Sequence, residues 1–89
     1  MTDYQKIVGI AENDPEQAIL MLNAFIEAGE ADDRTYYIMG RLYWRLGNHA
    51  EAVNCYRRAL ELNPESDARH ALEIANSVFD FFNPDLLNP

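Results

Sequence analysis

Helix-breaking residues cut this chain into segments of helical length, and that punctuation limits its fold more than any other feature. The breaks are Asp14-Pro15, Gly29, Gly47, Asn63-Pro64 and Asn83-Pro84. Helix starts sit beside them. Asp14 can cap free backbone N–H groups, Pro15 fits the first helical position, and Gln17 completes a capping box. Thr2 with Gln5, Asp32 or Asp33, Asn48 with Glu51, and Ser66 read as further starts. The helices so predicted end near Glu12, Gly29, Leu46, Leu62 and Asn83. Ala18, Leu22, Phe25 and Ile26 share a face of the second, and Ala71, Ile74, Ala75, Val78 and Phe82 recur at helical spacing in the fifth. No stretch alternates apolar and polar residues for long enough to read as a strand. The loops are short, so successive helices should be antiparallel neighbours. The fold class is therefore all-α, about five helices stacked as hairpins.

Composition narrows the function. At 89 residues the chain makes one domain, and 48% apolar with 25% charged residues is a globular balance. A domain this small buries roughly 60–65% of the surface its unfolded chain exposes, so its core is thin. The formal net charge of −8 argues against a nucleic-acid partner, which calls for a basic face. No apolar run approaches the roughly 20 residues of a membrane span, and the segment from Met1 to Asp14 lacks the pattern of a signal peptide. The expected setting is the cytoplasm, with neither nucleic acid nor membrane as partner.

Residues 33–66 carry a more specific pattern. Tyr36-x2-Met39-Gly40-x2-Tyr43 is followed by Ala52-x3-Tyr56, then Ala59, then Pro64. This resembles the tetratricopeptide repeat, a 34-residue helix–turn–helix unit whose pattern runs W-x2-L-G-x2-Y, A-x3-F, P. Five of the eight positions hold the family residue; Tyr36, Met39 and Tyr56 are conservative replacements. Gly40 and Ala52 are small because the two helices approach closely there. Tyr43 and Tyr56 are expected to fill the space between this hairpin and its neighbours, and Pro64 sets the break that follows. Shifted back by 34 residues, Ala18 and Leu22 fall on Ala52 and Tyr56, whereas Lys6 and Gly9 replace Gly40 and Tyr43. Shifted forward with one extra residue, Ala71-x2-Ile74-Ala75-x2-Val78 overlays the first helix. The resemblance thus implies a degenerate repeat over 1–32, a well-matched one over 33–66, and a capping helix with a short tail over 67–89.

Charge is unevenly distributed. Residues 1–33, 34–58 and 59–89 carry balances of −7, +4 and −5, so the positive charge belongs to the well-matched unit. Within it Arg34, Tyr37, Arg41, Trp44 and Arg45 share one broad helix face. The resemblance implies that this face lines a concave groove for peptides. Arg grips a carboxylate through paired hydrogen bonds, and Tyr and Trp supply apolar area. An acidic peptide, or one with a free C-terminal carboxylate, is the expected partner of this protein-interaction module. Against that, the arginines read equally as solvated residues paired to the acidic flanks, and Trp44 as packing against the neighbouring hairpin. The alternative function is structural: self-association, with a homodimer as its simplest form, through exposed repeat faces and the apolar C-terminus. Phe79, Phe82, Leu86 and Leu87 are the candidate contacts, either for that or for a tail folded back onto the stack.

Reactive chemistry is not in view. His49 and His70 lie in different units, Cys55 stands alone, and the four glycines are scattered, so neither a metal cluster nor a phosphate loop can be read. No catalytic residue and no cofactor are expected.

Overall fold

The computed structural model describes residues 3–82, and the side chains of residues 4–77. Five helices follow one another: α1 (Asp3–Asn13), α2 (Pro15–Glu27), α3 (Asp33–Arg45), α4 (His49–Leu62) and α5 (Ala68–Phe82). The described residues contain no strand. Each helix packs chiefly on its neighbours in sequence, α1 on α2, α2 on α3, α3 on α4 and α4 on α5, so the molecule is a short stack of antiparallel hairpins.

The helix starts are set by side chains that accept from free backbone N–H groups. Asp14 accepts from the N–H of Gln17 at 3.0 Å. Asp32, not Asp33, caps α3, and Thr35 closes the box by accepting from the Asp32 N–H at 3.2 Å. Asn48 accepts from the Glu51 N–H. The fifth helix begins at Ala68, two residues after Ser66, whose hydroxyl accepts from the Ala68 N–H in the turn that leads into the helix. Thr2 lies outside the described residues, and its expected capping box with Gln5 lies there too.

The two hairpin-defining stops are made alike. Gly29 and Gly47 have φ of 75° and 82°, in the left-handed region that glycine enters without steric cost. The N–H of Gly29 donates to the Ile26 carbonyl and that of Glu30 to the Phe25 carbonyl; Gly47 and Asn48 repeat the pattern on Trp44 and Tyr43. Both are the paired-bond termination that satisfies the last carbonyls of a helix.

Burial falls into two clusters. Ile7, Ala11, Ala18, Ile19, Leu22, Met39, Leu42 and Cys55 join α1, α2, α3 and α4. Ala52, Tyr56, Ala59 and Ala68 join α4 to α5, with Tyr36, Tyr37, Trp44 and Leu72 packed around them. The expected face of α2 needs amending: Ile19 is buried with Ala18 and Leu22, while Phe25 and Ile26 are half-buried at its margin. On α5, Ile74 shares a wall with Ala71 and Ala75, as its spacing predicts, and is 51% exposed there. Gly40 and Tyr56 explain each other. A Cβ at Gly40 would lie 2.6 Å from Cδ1 of the Tyr56 ring, so the ring fills the space that glycine leaves inside the hairpin.

A polar network ties α1 to the start of α3. The Tyr4 hydroxyl donates to Asp32 Oδ1 at 2.9 Å and lies 2.6 Å from the buried Thr35 hydroxyl. Arg34 pairs with Asp32 and stacks over the Tyr4 ring, 4.7 Å from its centroid. Burial alone would raise the Asp32 pKa, but hydrogen bonds from Arg34, Tyr4 and the Thr35 backbone outweigh it and hold the carboxyl below its ordinary range. A depressed carboxyl stabilises the fold above that range, and the contribution is lost as pH falls through the folded value, below 3.8. Tyr4→Phe should therefore destabilise the chain by about 1 kcal/mol at neutral pH. The deficit should shrink once Asp32 is protonated. Urea unfolding of both proteins at neutral and acidic pH measures it; an equal deficit at both would assign the loss to packing instead.

Candidate functional site

The first helices of the hairpins, α1 and α3, share one side of the stack with α5, and two depressions lie between them. The larger, of about 360 Å³, runs between α3 and α5. Its walls are Tyr37, Arg41 and Trp44 from α3 and His70, Ala71, Ile74 and Ala75 from α5, with Asp67 at the loop end and Tyr56 of α4 in the floor. The smaller, of about 210 Å³, lies between α1 and α3 and is lined by Val8, Ala11, Glu12, Ile38, Arg41, Leu42 and Arg45. Arg41 borders both.

The larger groove owes its shape to the close packing beneath it. Gly40 lets the Tyr56 ring approach α3, and Tyr37 meets that ring with centroids 6.2 Å apart and planes tilted by 42°. Trp44 stacks on His49 of its own hairpin, centroids 4.0 Å apart at 25°. Trp44 also packs against the cluster of Ala52, Tyr56, Ala59 and Ala68, and the short turn at Gly47 brings α4 back beside the end of α3, so that His49, the first residue of α4, is the ring's stacking partner. Half-buried aromatic rings of this kind keep their position while offering an apolar edge. Burial raises the Tyr56 hydroxyl pKa, nearby Tyr37 adds to the rise, and Arg41 opposes it, so the floor of the groove is a neutral phenol.

The five residues read from the sequence as one face are distributed in two directions. Tyr37, Arg41 and Trp44 line the α3/α5 groove. Arg34 turns toward α1, held by Asp32 and the Tyr4 ring. Arg45 also reaches α1, where Nη1 donates to the Ala11 carbonyl at 3.1 Å. That carbonyl is in the last turn of a helix with no basic residue there, so Arg45 acts as a cap supplied from outside. Arg41 stands over Tyr37, 5.8 Å from the ring centroid, and is exposed. It forms no ion pair among the described residues.

The sequence reading did not name Asp67, His70 and Ile74 as groove residues. The overlay of Ala71 and Ile74 on Tyr36 and Met39 was the available signal, since it makes α5 a first helix that must face α3. Phe79 and Phe82 fall within α5, but their side chains lie outside the described residues, as do Leu86 and Leu87. Cys55 is buried, and burial, with a lesser effect of Glu51, pushes its thiol up to about 11, which makes it a poor nucleophile at neutral pH. Among the described residues no group of three His, Cys, Asp or Glu is placed to hold a metal. None of the described helices is long and apolar enough to cross a membrane.

These features define a class: helical-hairpin repeat proteins with an open groove along their first helices. The comparisons with known proteins sharpen it. The tetratricopeptide repeat pattern matches residues 33–66. The chain is 36% identical over 55 residues to the TPR repeat-containing protein MJ0941 of Methanocaldococcus jannaschii, covering 62% of this chain and 16% of that one, so it spans under a fifth of that relative. The solution NMR structure of Bacteroides fragilis protein BF1650 superposes with a TM-score of 0.85 at 34% identity, over 99% of this chain and 91% of the other. Residues 33–66 are thus a tetratricopeptide repeat, set within an all-α stack of helical hairpins. The family supports a protein–protein interaction module in general, and its members are generally non-catalytic scaffolds.

Proposed function

We propose that the chain binds an extended segment of a partner protein in the groove between α3 and α5. The observation that carries this reading is the make-up of that groove. Apolar edges of Tyr37, Trp44 and Ile74 surround it, and Arg41 stands at its rim as an exposed cation. Tyr, Trp and Arg are the side chains from which interfaces draw most of their binding energy. In this reading residues 1–32 serve as a degenerate repeat, 33–66 as the recognition unit, and α5 with the tail, 67–89, as a cap that supplies the far wall. A carboxylate on the partner is the natural complement to Arg41.

Trp44 is the single tryptophan of the chain and borders the groove, so its emission reports occupancy directly. The test is selection from an immobilised peptide library, followed by fluorescence titration of the selected peptides. Selected peptides should shift the Trp44 emission. Arg41→Glu should weaken binding about tenfold or more while leaving the circular dichroism unchanged. A library in which no peptide perturbs Trp44 would remove the reading, and so would selected peptides that bind Arg41→Glu as tightly as the native chain.

A further inference from the structure

The end of α5 and the Trp44 end of the α3/α5 groove lie at the same end of the stack. Asn63 Nδ2 donates to Asp33 Oδ2 at 3.3 Å, so the start of α3 lies beside the loop that leads into α5. Both helices rise from that end and run in the same sense, each antiparallel to α4. Asp67 therefore stands at the shared start of the groove, and Trp44 near the last turn of α3. Arg41 is one turn further in from Trp44.

Residues 83–89, Asn-Pro-Asp-Leu-Leu-Asn-Pro, follow α5 and lie outside the described residues. Pro84 lacks the N–H that would carry a helix onward. Asp85 is the one charged side chain of this segment, and Leu86 and Leu87 come directly after it. The groove offers the complement. Arg41 is an exposed cation with no ion pair among the described residues, and Tyr37, Trp44 and the half-exposed Ile74 supply apolar edges.

The reach also fits. Ala75, Ile74 and Ala71 of the groove wall precede Phe82 by about 10, 12 and 17 Å of helix axis, at 1.5 Å per residue. An extended chain covers about 3.3–3.6 Å per residue, which allows Asp85 about 10 Å from Phe82 and Leu87 about 17 Å. The other ionisable wall residues of α5 and its loop, His70 and Asp67, are about 18 and 22 Å back along the same axis. A segment doubling back past Trp44 thus brings Asp85 to the depth of Ala75, well short of the like charge of Asp67.

Resting on the groove reading above, we infer that residues 83–87 fold back into the groove of their own chain, with Asp85 on Arg41 and the two leucines against Tyr37, Trp44 and Ile74, so that a partner segment binds by displacing them. A tether this short gives an effective concentration of about 1 mM. A segment that binds as a free peptide with a dissociation constant of about 0.1 mM is then docked roughly ten times as often as not, and it weakens a competing partner about tenfold.

The test uses the full chain, native and with Leu86→Ser and Leu87→Ser together. Acrylamide quenching of Trp44 is read in the free proteins, and Trp44 emission in titrations with the library-selected peptides. The serine variant should show stronger quenching and bind the selected peptides about tenfold more tightly. The blocked peptide acetyl-Asn-Pro-Asp-Leu-Leu-Asn-amide should shift Trp44 emission of that variant at about 0.1 mM, and about ten times more should be needed with the native chain. Asp85→Lys should raise quenching as the serine pair does, and adding Arg41→Glu to it should restore the native level. Because Arg41 serves both occupants, its effect on peptide affinity is read in the serine variant, where no tail competes.

Equal quenching and equal peptide affinity in the native chain and the serine variant would overturn the inference and leave the groove reading standing, since the selected peptides still bind. Quenching of the native chain that rises on dilution to the level of the variant would place the tail in a second copy's groove, which overturns the contact within one chain. Failure of Arg41→Glu to restore Asp85→Lys overturns the pairing of the two residues. Stronger quenching in the serine variant with no library peptide bound by either protein removes the displacement and the groove reading together.

Discussion

Gly40→Val is expected to lower the melting temperature by roughly 12–24 °C, the equivalent of about 3 kcal/mol in a domain of this size. The cause is steric. The Tyr56 ring already occupies the position of a Cβ at residue 40, and the ring is itself buried with Ala52, Ala59 and Ala68. It cannot swing away without opening the contact between α4 and α5. The gain in helix propensity on replacing glycine by valine, roughly 0.3–0.4 kcal/mol, is too small to compensate. Gly9 provides the internal comparison. It also lies in a helix, α1, but a Cβ there meets nothing within 4 Å. Gly9→Ala should raise stability by about 0.5–1 kcal/mol. Thermal melts of the two variants should move in opposite directions. A neutral Gly40→Val would mean that Tyr56 has another place to go.

Leu22→Ala should cost about 3 kcal/mol, within the range of 2–5 for a buried leucine. Leu22 is fully buried where α2 meets α1 and α3. In a stack whose units touch mainly their neighbours, stability is approximately a sum of unit and interface contributions. The loss should therefore be local. Amide exchange should accelerate first in α1 and α2, while α3 and α4 retain protection near the native level. Uniform acceleration across all four helices would show that the stack unfolds as one cooperative body.

Most of the fold was legible because its signals are local. Pro15, Gly29, Gly47 and Pro64 mark breaks through backbone constraints that need no tertiary context. The Gly40–Tyr56 relation was not legible: the spacing paired Gly40 with Ala52 and sent Tyr56 to the space between hairpins, whereas the Tyr56 ring also packs on Gly40 inside its own hairpin. The destinations of the arginines were legible only in part. A pairing with the acidic flank was one reading, and Arg34 makes it with Asp32, yet the reach of Arg34 over the Tyr4 ring and of Arg45 to the Ala11 carbonyl, both in α1, was not to be read. Where a long flexible side chain ends depends on which acceptors a neighbouring helix leaves open, and helical periodicity does not carry that information. Ile74 shares the face its spacing predicts, yet it is half exposed, because helical spacing shows which residues share a face but not how deeply that face is covered.

The preference of each helix for its sequence neighbours also bears on how the chain acquires its shape. The contacts that define it join segments separated by one short turn, so few long loops must close before native packing begins to stabilise the chain. Topologies built this way fold in microseconds to milliseconds, far faster than sheets whose strands pair across the whole sequence. The glycine turn between α3 and α4 brings together Gly40, Ala52 and Tyr56 within a single hairpin. That hairpin is the natural place for ordering to start, and the same pairing that speeds the chain's self-assembly also builds the floor of its groove.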